Sequence, residues 1–192
     1  MAVQVEPLTE DRFDDFAQVV NRTRRPTHCW CLSHRLQPAQ IQELGGGSRE
    51  LAMRRLSARP RSPGVVAYRD GEPVGWCSIG PRSDIPRLAG SKLITPVDDV
   101  PVWSIICVVV RSGFRRQGVA LDMVRAATEY ALAQGAPAVE SYPADVEGRI
   151  DLTAAFIGTR KLFADAGFRF VGTAKALAQG RPRVIMRRQP DH

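Results

Sequence analysis

The sequence predicts an α/β fold built on a mixed β-sheet, and three features carry this prediction. Residues 102–110 form a nearly continuous apolar and β-branched run, which is typical of a central strand buried on both faces. A helical pattern follows over residues 117–134, and residues 138–142 return to an extended pattern. A strand, a helix and a second strand in this order predict a parallel strand pair around the helix.

Length and composition place the chain among globular proteins. It has 192 residues, of which 44% are hydrophobic and 24% charged, enough for one core. The longest apolar stretch, residues 105–110, is far shorter than the roughly 20 residues of a membrane span. The first residues lack the basic and apolar regions of a secretion signal. We therefore expect a cytoplasmic protein with one domain over residues 1–192 and no membrane partner.

The charge balance is basic, with 27 Lys and Arg against 20 Asp and Glu, a net charge of +7. Such a balance favours nucleic acid, an anionic surface or a phosphorylated cofactor. The charges are spread along the chain without a basic block, so we expect no nucleic-acid partner. The four cysteines, at positions 29, 31, 77 and 107, lack the spacing of a disulfide framework and fit reduced thiols.

The N-terminal third predicts a short strand and two helices. The first residues alternate as in a strand, and apolar residues over 13–20 are spaced to share one helical face. Residues 22–40 contain prolines and a cysteine–tryptophan cluster, so we expect a loop with a short helix there. Ser48 is positioned to cap a second helix that runs to about Arg59, after which prolines stop it.

The middle of the chain predicts a hairpin followed by an irregular segment. Residues 65–69 and 74–79 resemble strands and are joined by Asp70-Gly71, a dipeptide that suits the positive φ angles of a tight turn. Residues 80–100 contain three prolines and predict a long irregular excursion. Such a segment inside a compact domain is usually functional.

The C-terminal part completes the mixed sheet. Gly135 ends the helix over residues 117–134, and a shorter helix is predicted at about 159–165. Residues 168–171 and 184–186 are extended and supply two further strands.

A basic turn lies between the central strand and its helix, over Arg111-Ser112-Gly113-Phe114-Arg115-Arg116-Gln117-Gly118-Val119-Ala120. The first-turn amides of a helix lack intrahelical partners and carry partial positive charge, so they can hold an anion. Gly118 lets the backbone approach a phosphate without a Cβ in the way. The turn lacks the lysine and Ser/Thr of a nucleotide P-loop. An ordinary strand–turn–helix with solvated arginines is the alternative.

At these residues the sequence resembles the GNAT acetyltransferase superfamily. The signature of that family is Arg or Gln, two residues, Gly, one residue and Gly or Ala, matched here by Arg115, Gly118 and Ala120, with its preceding valine at Val110. A second family feature, an aromatic residue four positions before a Gly-Phe pair, is present as Phe163. The chain is also similar to a bacterial subgroup with a Cys-Trp-Cys segment. The resemblance implies a GNAT-like single domain whose mixed, mostly antiparallel sheet has a splayed parallel strand pair and flanking helices.

The resemblance implies acetyl-CoA as the acyl donor and no metal. The resemblance implies that backbone groups around Val108 and Val110 pair with the pantetheine arm. It also implies that amides from Arg115 to Ala120 bind the pyrophosphate of acetyl-CoA. Arg160 is implied as a phosphate or adenine contact. The complete set of expected donor-binding residues is Val108, Val109, Val110, Arg115, Arg116, Gln117, Gly118, Val119, Ala120 and Arg160. We therefore expect an acetyl-CoA-dependent N-acetyltransferase that acts on a primary amine of a small molecule or peptide.

Direct transfer to an amine needs an unprotonated amine, a polarised thioester carbonyl and a proton for the departing thiolate. A strand N–H near Val108 is expected to polarise the carbonyl. The usual proton donor of the family is a tyrosine, and Phe163 stands there, so Tyr142 is the expected substitute. Glu140 is the expected base, and an ion-paired or solvent-facing Glu140 or a water chain are the alternatives. The next candidates for the base are Asp98, Asp99 and Asp145.

The segment from His28 to His34 holds two histidines and two cysteines. It invites a zinc hypothesis, but structural zinc sites need a second, distant ligand pair, so we expect no metal. We expect this segment to line the acceptor site, with Trp30 as an aromatic wall. Trp76 and Trp103 are further expected acceptor contacts, and core packing is the alternative for all three tryptophans.

Two other functions stay open at this point. Phe163 favours an acyl-CoA-binding sensor without turnover, and the +7 charge favours an RNA-directed acyltransferase. A homodimer is compatible with each of these functions.

Overall fold

The computed structural model describes residues 3–146 and 157–190. Within these ranges the chain forms seven strands and six α-helices. The strands are β1 (Gln4–Pro7), β2 (Gly64–Arg69), β3 (Glu72–Pro81), β4 (Trp103–Val110), β5 (Val139–Ser141), β6 (Arg169–Ala178) and β7 (Arg181–Arg188). The helices are α1 (Phe13–Val20), α2 (Pro38–Gly45), α3 (Arg49–Ser57), α4 (Pro86–Ala89), α5 (Val119–Ala133) and α6 (Arg160–Asp165). None of the described helices is long and apolar enough to cross a membrane.

All seven described strands belong to one sheet in the order β1-β2-β3-β4-β5-β7-β6. β4 and β5 pair in parallel on either side of the α5 connection, and every other pair is antiparallel. This topology confirms the predicted α/β fold with a mixed sheet and a parallel pair. The β2–β3 hairpin is also confirmed, since Asp70 and Gly71 both have positive φ angles, of 52° and 79°.

Helices cover both faces of the sheet. α5 and α6 pack on one face, where Met123, Val124 and Phe163 are buried against the inward residues of the strands. α1 and α3 cover the other face at the β1–β4 side, where Phe16 and Met53 are buried. The core therefore has two layers separated by the sheet, and the middle strand β4 contributes residues to both.

The two C-terminal strands are longer than the sequence predicts. The patterns at 168–171 and 184–186 are the apolar parts of β6 and β7, which extend over ten and eight residues. β6 forms an edge of the sheet and is mostly exposed, so it lacks the continuous apolar run that marks a buried strand. The irregular segment after β3 contains the short helix α4, which begins at Pro86. A proline is favourable at a first helical position.

Gly64 lies where β2 packs tightly against β3. A Cβ at this position would collide with the Cys77 carbonyl and with the ring of Trp76. Gly113 has open space around it and no positive φ angle, so it provides a matched control. We expect Gly64→Ala to lower the free energy of unfolding by about 2–3 kcal/mol, because the strand or the indole must shift. Gly113→Ala should change it by less than about 0.5 kcal/mol in urea titrations. Equal stabilities of the two variants would contradict the packing at Gly64.

Candidate functional site

The free edge of β4 is created where this strand separates from β5. The two strands pair over only three residues of β4, from Trp103 to Ile105, and the rest of β4 pairs with β3. A register shift opposite Ser78 and Ile79 leaves Ile106 without a partner on β3, which defines a β-bulge. Ile106 and Cys107 consequently both face away from α5, in the clusters on the opposite side of the sheet.

The bulge determines which backbone groups of β4 lie on this free edge. The Arg111 N–H donates to the Val74 carbonyl at 3.0 Å, so by antiparallel alternation the peptide groups of Val109 face β3. Those of Val108 and Val110 therefore face the gap next to β5. The Val110 carbonyl accepts a hydrogen bond from Arg115 Nε at 3.0 Å across this edge. The edge thus offers a short row of strand hydrogen-bonding groups to an extended ligand.

The turn after β4 ends in a set of open backbone amides. The Gly118 carbonyl accepts the first helical hydrogen bonds, from Leu121 and Asp122 at 3.0 and 3.1 Å. The amides of Val119 and Ala120 precede these bonds and therefore have no intrahelical acceptor. Gly118 has a φ of 80°, and the nearest atom to a Cβ built there is Asp122 Oδ2 at 4.0 Å. The space in front of the helix is consequently open.

Side chains fix the shape of this turn and add positive charge to it. Gln117 accepts from Arg69 at 3.0 Å and donates to the Gly113 carbonyl at 3.0 Å. Arg116 has a φ of 59°, so the backbone adopts two left-handed residues within three positions. Successive amides in such turns often converge on an anion. The arrangement therefore has the geometry and the charge of a phosphate cradle.

A cavity of about 880 Å³ lies beside the free edge. One wall is β4 and the following turn, including Cys107, Val109, Val110 and Arg115. The opposite wall is the end of α1 and the chain segment that follows it. The residues of that wall are Gln18, Val19, Val20, Arg22, Thr27, His28, Cys29, Cys31, Ser33 and His34. The segment from His28 to His34, which we expect to line the acceptor site, thus lies next to the expected donor-binding edge.

Glu140 and Tyr142 belong to a buried hydrogen-bonded network. Glu140 is 2% exposed and accepts from Arg187 Nε and Nη2 at 2.9 and 2.6 Å and from the Tyr142 hydroxyl at 2.9 Å. The Tyr142 hydroxyl also accepts from Arg82 at 2.9 Å and contacts Ser104 Oγ at 2.9 Å. Burial, followed by the charge of Glu140, raises the pKa of Tyr142 above its ordinary value. The tyrosine therefore holds its proton firmly.

Asp98 extends this network to the surface. Its two carboxylate oxygens accept from Arg187 at 2.6 and 2.9 Å. The hydrogen bonds from Arg187 keep the pKa of Asp98 below its ordinary value. Asp145, a further expected alternative to Glu140, is paired with Arg160 at 2.7 Å. The structure thus places three of the four expected carboxylates in ion pairs with arginines.

The network around Glu140 is separate from the large cavity. In the β4–β5 register Glu140 pairs with Ser104, four positions before Val108, a distance of about 13 Å along an extended strand. Glu140 lines a smaller cavity of about 370 Å³ together with Asp98, Asp99 and Arg187. The structure therefore brings Glu140 and Tyr142 together but keeps them apart from the expected donor-binding residues of β4.

The three tryptophans pack in the core. Trp30 and Trp76 are fully buried around Phe16, at ring distances of 6.1 and 4.6 Å. Trp103 lies on the α5 face, against Tyr130 at 6.3 Å. None of the three lines the cavity beside β4. Their expected acceptor role stays a prediction, and their packing matches the alternative that was left open.

The thiols and imidazoles near β4 belong to the segment for which the sequence suggests a zinc hypothesis. Within the described residues, no group of three or more His, Cys, Asp or Glu side chains is arranged to hold a metal ion. Cys31 Sγ lies 3.5 Å from Cys107 Sγ, so the segment before α2 contacts β4 directly. The hydrogen bond with Cys107, followed by burial, raises the pKa of Cys31.

Comparison with known proteins identifies the family to which these features belong. The family model for the GNAT acetyltransferase family matches residues 15–148, more than half of the chain. The chain belongs to the GNAT acetyltransferase family. No curated protein shows significant sequence similarity to it.

Solved structures share the GNAT fold at low sequence identity. AAC(6′)-Ib in complex with ribostamycin and coenzyme A is 18% identical, with a TM-score of 0.58 over 98% of this chain and 94% of that one. The histone acetyltransferase HPA2 and related acetyltransferase from Corynebacterium glutamicum is 21% identical, with a TM-score of 0.55 over 100% and 98%. A GNAT acetyltransferase from Bacillus cereus is 14% identical, with a TM-score of 0.56 over the full length of both chains.

The aromatic residue that the family signature places before Gly167-Phe168 is buried in this GNAT protein. Phe163 is fully buried, and its ring meets that of Phe168 at 5.1 Å and 74°. It packs with α5 in the core on that face of the sheet. No hydroxyl is available at this position to protonate a leaving thiolate.

The pairing between Glu140 and Arg187 predicts a large effect on stability. Arg187→Met leaves the Glu140 carboxylate buried without its cationic partner, and we expect a loss of about 3–5 kcal/mol in urea unfolding. The double variant Glu140→Gln/Arg187→Met removes both charges and should recover a large part of that loss. A loss below about 1 kcal/mol for Arg187→Met would show that the pair is solvated.

Proposed function

We propose that this GNAT protein is an acetyl-CoA-dependent N-acetyltransferase that acts on a primary amine of a small molecule or peptide. The continuity of the free β4 edge with the amide cradle at the start of α5 carries this proposal. An extended amide-containing arm and a pyrophosphate need these two features in this order. The acetyltransferase family supplies the reaction class, and the cavity beside β4 supplies space for an acceptor.

The donor is held mainly by backbone groups. The peptide groups of Val108 and Val110 are oriented to pair with the pantetheine amides, and Arg115 then exchanges its bond to the Val110 carbonyl for a contact with the ligand. The open amides of Val119 and Ala120 face the pyrophosphate, where a helix N-terminus favours negative charge. Arg115 and Arg116 add formal charge. Arg160 is the further phosphate or adenine contact that we propose, and its guanidinium is paired with Asp145 in the absence of a ligand.

The transfer requires the protein to orient the amine and the thioester and to remove a proton from the amine. The amine nitrogen attacks the thioester carbon, a C–N bond forms, and the C–S bond breaks to release the thiolate. The Val108 N–H, which lies on the free edge, is positioned to polarise the carbonyl. A thiol with a pKa near 8.5 is an adequate leaving group, so turnover does not require a tyrosine at the position of Phe163.

Glu140 and Tyr142 are the sequence-based proposals for base and acid, and their surroundings favour a positioning role. The Glu140 carboxylate accepts three hydrogen bonds within the protein, two of them from Arg187 and one from Tyr142. A tyrosine with a raised pKa is a poor proton donor near neutral pH. We therefore propose that Glu140 and Tyr142 stabilise the part of β4 and β5 in which the two strands are hydrogen-bonded to each other.

An acyl-CoA-binding sensor without turnover is the second candidate function. The burial of Phe163, which leaves no hydroxyl at the usual position of the proton donor, is the observation that favours it. Release of free thiol from acetyl-CoA in the presence of primary amines distinguishes the two functions. A cytoplasmic location is part of both proposals and is supported by four unpaired cysteines.

Gly118 allows a direct test of the donor site. We expect acetyl-CoA to stabilise the parent protein by about 2.7 kcal/mol at a hundredfold excess over Kd, as a rise in Tm. In Gly118→Val, a side chain stands in the open space before α5, and we expect affinity measured by calorimetry to fall by more than about tenfold, or ~1.4 kcal/mol. Arg115→Ala removes charge but keeps the amides, so its loss should be smaller.

Gly180 provides the control for backbone strain. It has a φ of 76°, has no atom within 4 Å of a built Cβ, and lies between β6 and β7, away from the cradle. Gly180→Val should therefore lose stability in the same way as Gly118→Val but bind acetyl-CoA like the parent. Unchanged affinity in a folded Gly118→Val variant would place the phosphates elsewhere.

A further inference from the structure

We propose that a second cavity, at the end of α5 away from the amide cradle, is a binding site for a phosphate monoester. The cavity has a volume of about 640 Å³ and lies between the segment after α3, the end of β3 and the end of α5. The proposal rests on a buried arginine without a charged partner, on the space that a glycine leaves in front of it, and on the positive charge of the lining.

This cavity is separate from the proposed donor site. Tyr130 and Gln134 line it, and they follow Val119, the first residue of α5, by eleven and fifteen positions. At about 1.5 Å per residue, these separations correspond to roughly 16–23 Å along the helix axis. The described linings of this cavity and of the cavity beside β4 have no residue in common. A ligand at one site therefore does not occupy the other.

Arg35 contributes a buried guanidinium to the wall of the second cavity. The residue is 4% exposed, and its Nη2 donates to the carbonyls of Pro63 and Ile79 at 2.6 and 3.5 Å. Nη2 also lies within hydrogen-bond distance of Ser78 Oγ, at 3.2 Å. These partners are all uncharged, and among the described residues Nε has no hydrogen-bond partner. A buried cation without a charged partner is unfavourable, and a bound anion supplies that partner.

Gly80 leaves space in front of this guanidinium. It lies near the end of β3 and lines the same cavity. Apart from its chain neighbours, the only described atoms within 4 Å of a Cβ built at Gly80 are Nη2 and Nη1 of Arg35, at 3.7 and 3.8 Å. The φ angle of Gly80 is not positive, so the backbone conformation does not require a glycine. The missing side chain therefore leaves room for an oxyanion beside the two nitrogens.

The lining of the second cavity carries a net positive charge. Arg35, Arg59 and Arg61 supply three positive charges, and Asp84 supplies the one negative charge of the described lining. Arg61 pairs with Asp84 at 2.6 Å, which leaves the charges of Arg35 and Arg59. Burial lowers the pKa of Arg35 to about 10, against the opposing effect of Asp84, and the charge of Arg59 lowers it further. Arg35 therefore stays charged at pH 7, and an anion between the two arginines is attracted by both.

The charge and the size of the cavity favour a phosphate monoester over a smaller anion. The phosphate group of an ester carries a charge of about −1.5 to −2 near pH 7, which matches the net charge of the lining. The N–H groups of arginine suit the geometry of phosphate oxygens. The volume exceeds that of a phosphate group and falls within the range of small-molecule sites, about 300–1,000 Å³. An apolar wall for the organic part of the ester is formed by the ring of Tyr130 and by Pro60, Pro63, Pro81 and Pro86.

Calorimetric titrations with phenyl phosphate, inorganic phosphate and benzoate test the ligand class. Acetyl-CoA is present in excess, to fill the proposed donor site, and about 0.1 M NaCl screens exposed charges. We expect phenyl phosphate to bind with a Kd below about 1 mM and at least about tenfold more tightly than inorganic phosphate or benzoate. Benzoate at equal affinity overturns phosphate as the ligand chemistry, inorganic phosphate at equal affinity overturns the ester, and a lack of binding overturns the site.

Two substitutions locate the bound ester, and their outcome does not depend on whether acetyl-CoA binds. Gly80→Ala places a methyl group at ordinary van der Waals distance from the guanidinium, so we expect the parent fold with at least about fivefold weaker binding of phenyl phosphate. Arg59→Gln removes an exposed charge of the lining and should weaken binding by at least about fivefold.

Arg25→Gln is the matched control, because it removes an exposed arginine charge outside the described linings of both cavities. It should keep the Kd for phenyl phosphate within about twofold of the parent value. Circular dichroism verifies the fold of each variant. Parent-like affinity in a folded Gly80→Ala or Arg59→Gln variant, or an equal loss in Arg25→Gln, overturns the assignment to this cavity.

Discussion

The separation of β4 from β5 after three paired residues is the constraint on which the site depends. Parallel strands that continued side by side would satisfy each other's peptide groups and leave no edge for a ligand. The bulge at Ile106 shifts the alternation of β4, so that the peptide groups of Val108 and Val110 face the gap. Arg115 satisfies one of these carbonyls within the protein. The same strand then leads into α5, whose open amides lie at the end of the gap.

Ion pairs and hydrophobic packing stabilise β4 and β5 where the two strands are paired, before they separate after Ile105. Arg187 joins Asp98, in the segment before β4, to Glu140 on β5, and Tyr142 ties this network to Ser104 on β4. On the opposite side of the sheet, Cys31 contacts Cys107 and holds the N-terminal segment against β4. The resulting cavity is bounded by elements that are distant in sequence, and its shape depends on all of them.

Local patterns predicted the parts of this arrangement that depend on local sequence. The apolar run of β4, the helix after it and the Asp70-Gly71 turn have signals within a few residues, and each is confirmed. The partner of Glu140 could not be predicted, because Arg187 lies 47 positions away and no pattern connects them. The contact between Cys31 and Cys107 could not be predicted for the same reason, because the two residues are 76 positions apart.

Amide hydrogen exchange, measured residue by residue with and without acetyl-CoA, tests the central claim most directly. If the free edge and the cradle hold the donor, the amides of Val108, Val110, Val119 and Ala120 exchange more slowly when acetyl-CoA is bound, while Val109, which already faces β3, changes little. Protection confined to other regions, or protection of Val109 together with unchanged Val108 and Val110, would contradict the assignment of the β4 edge as the donor site.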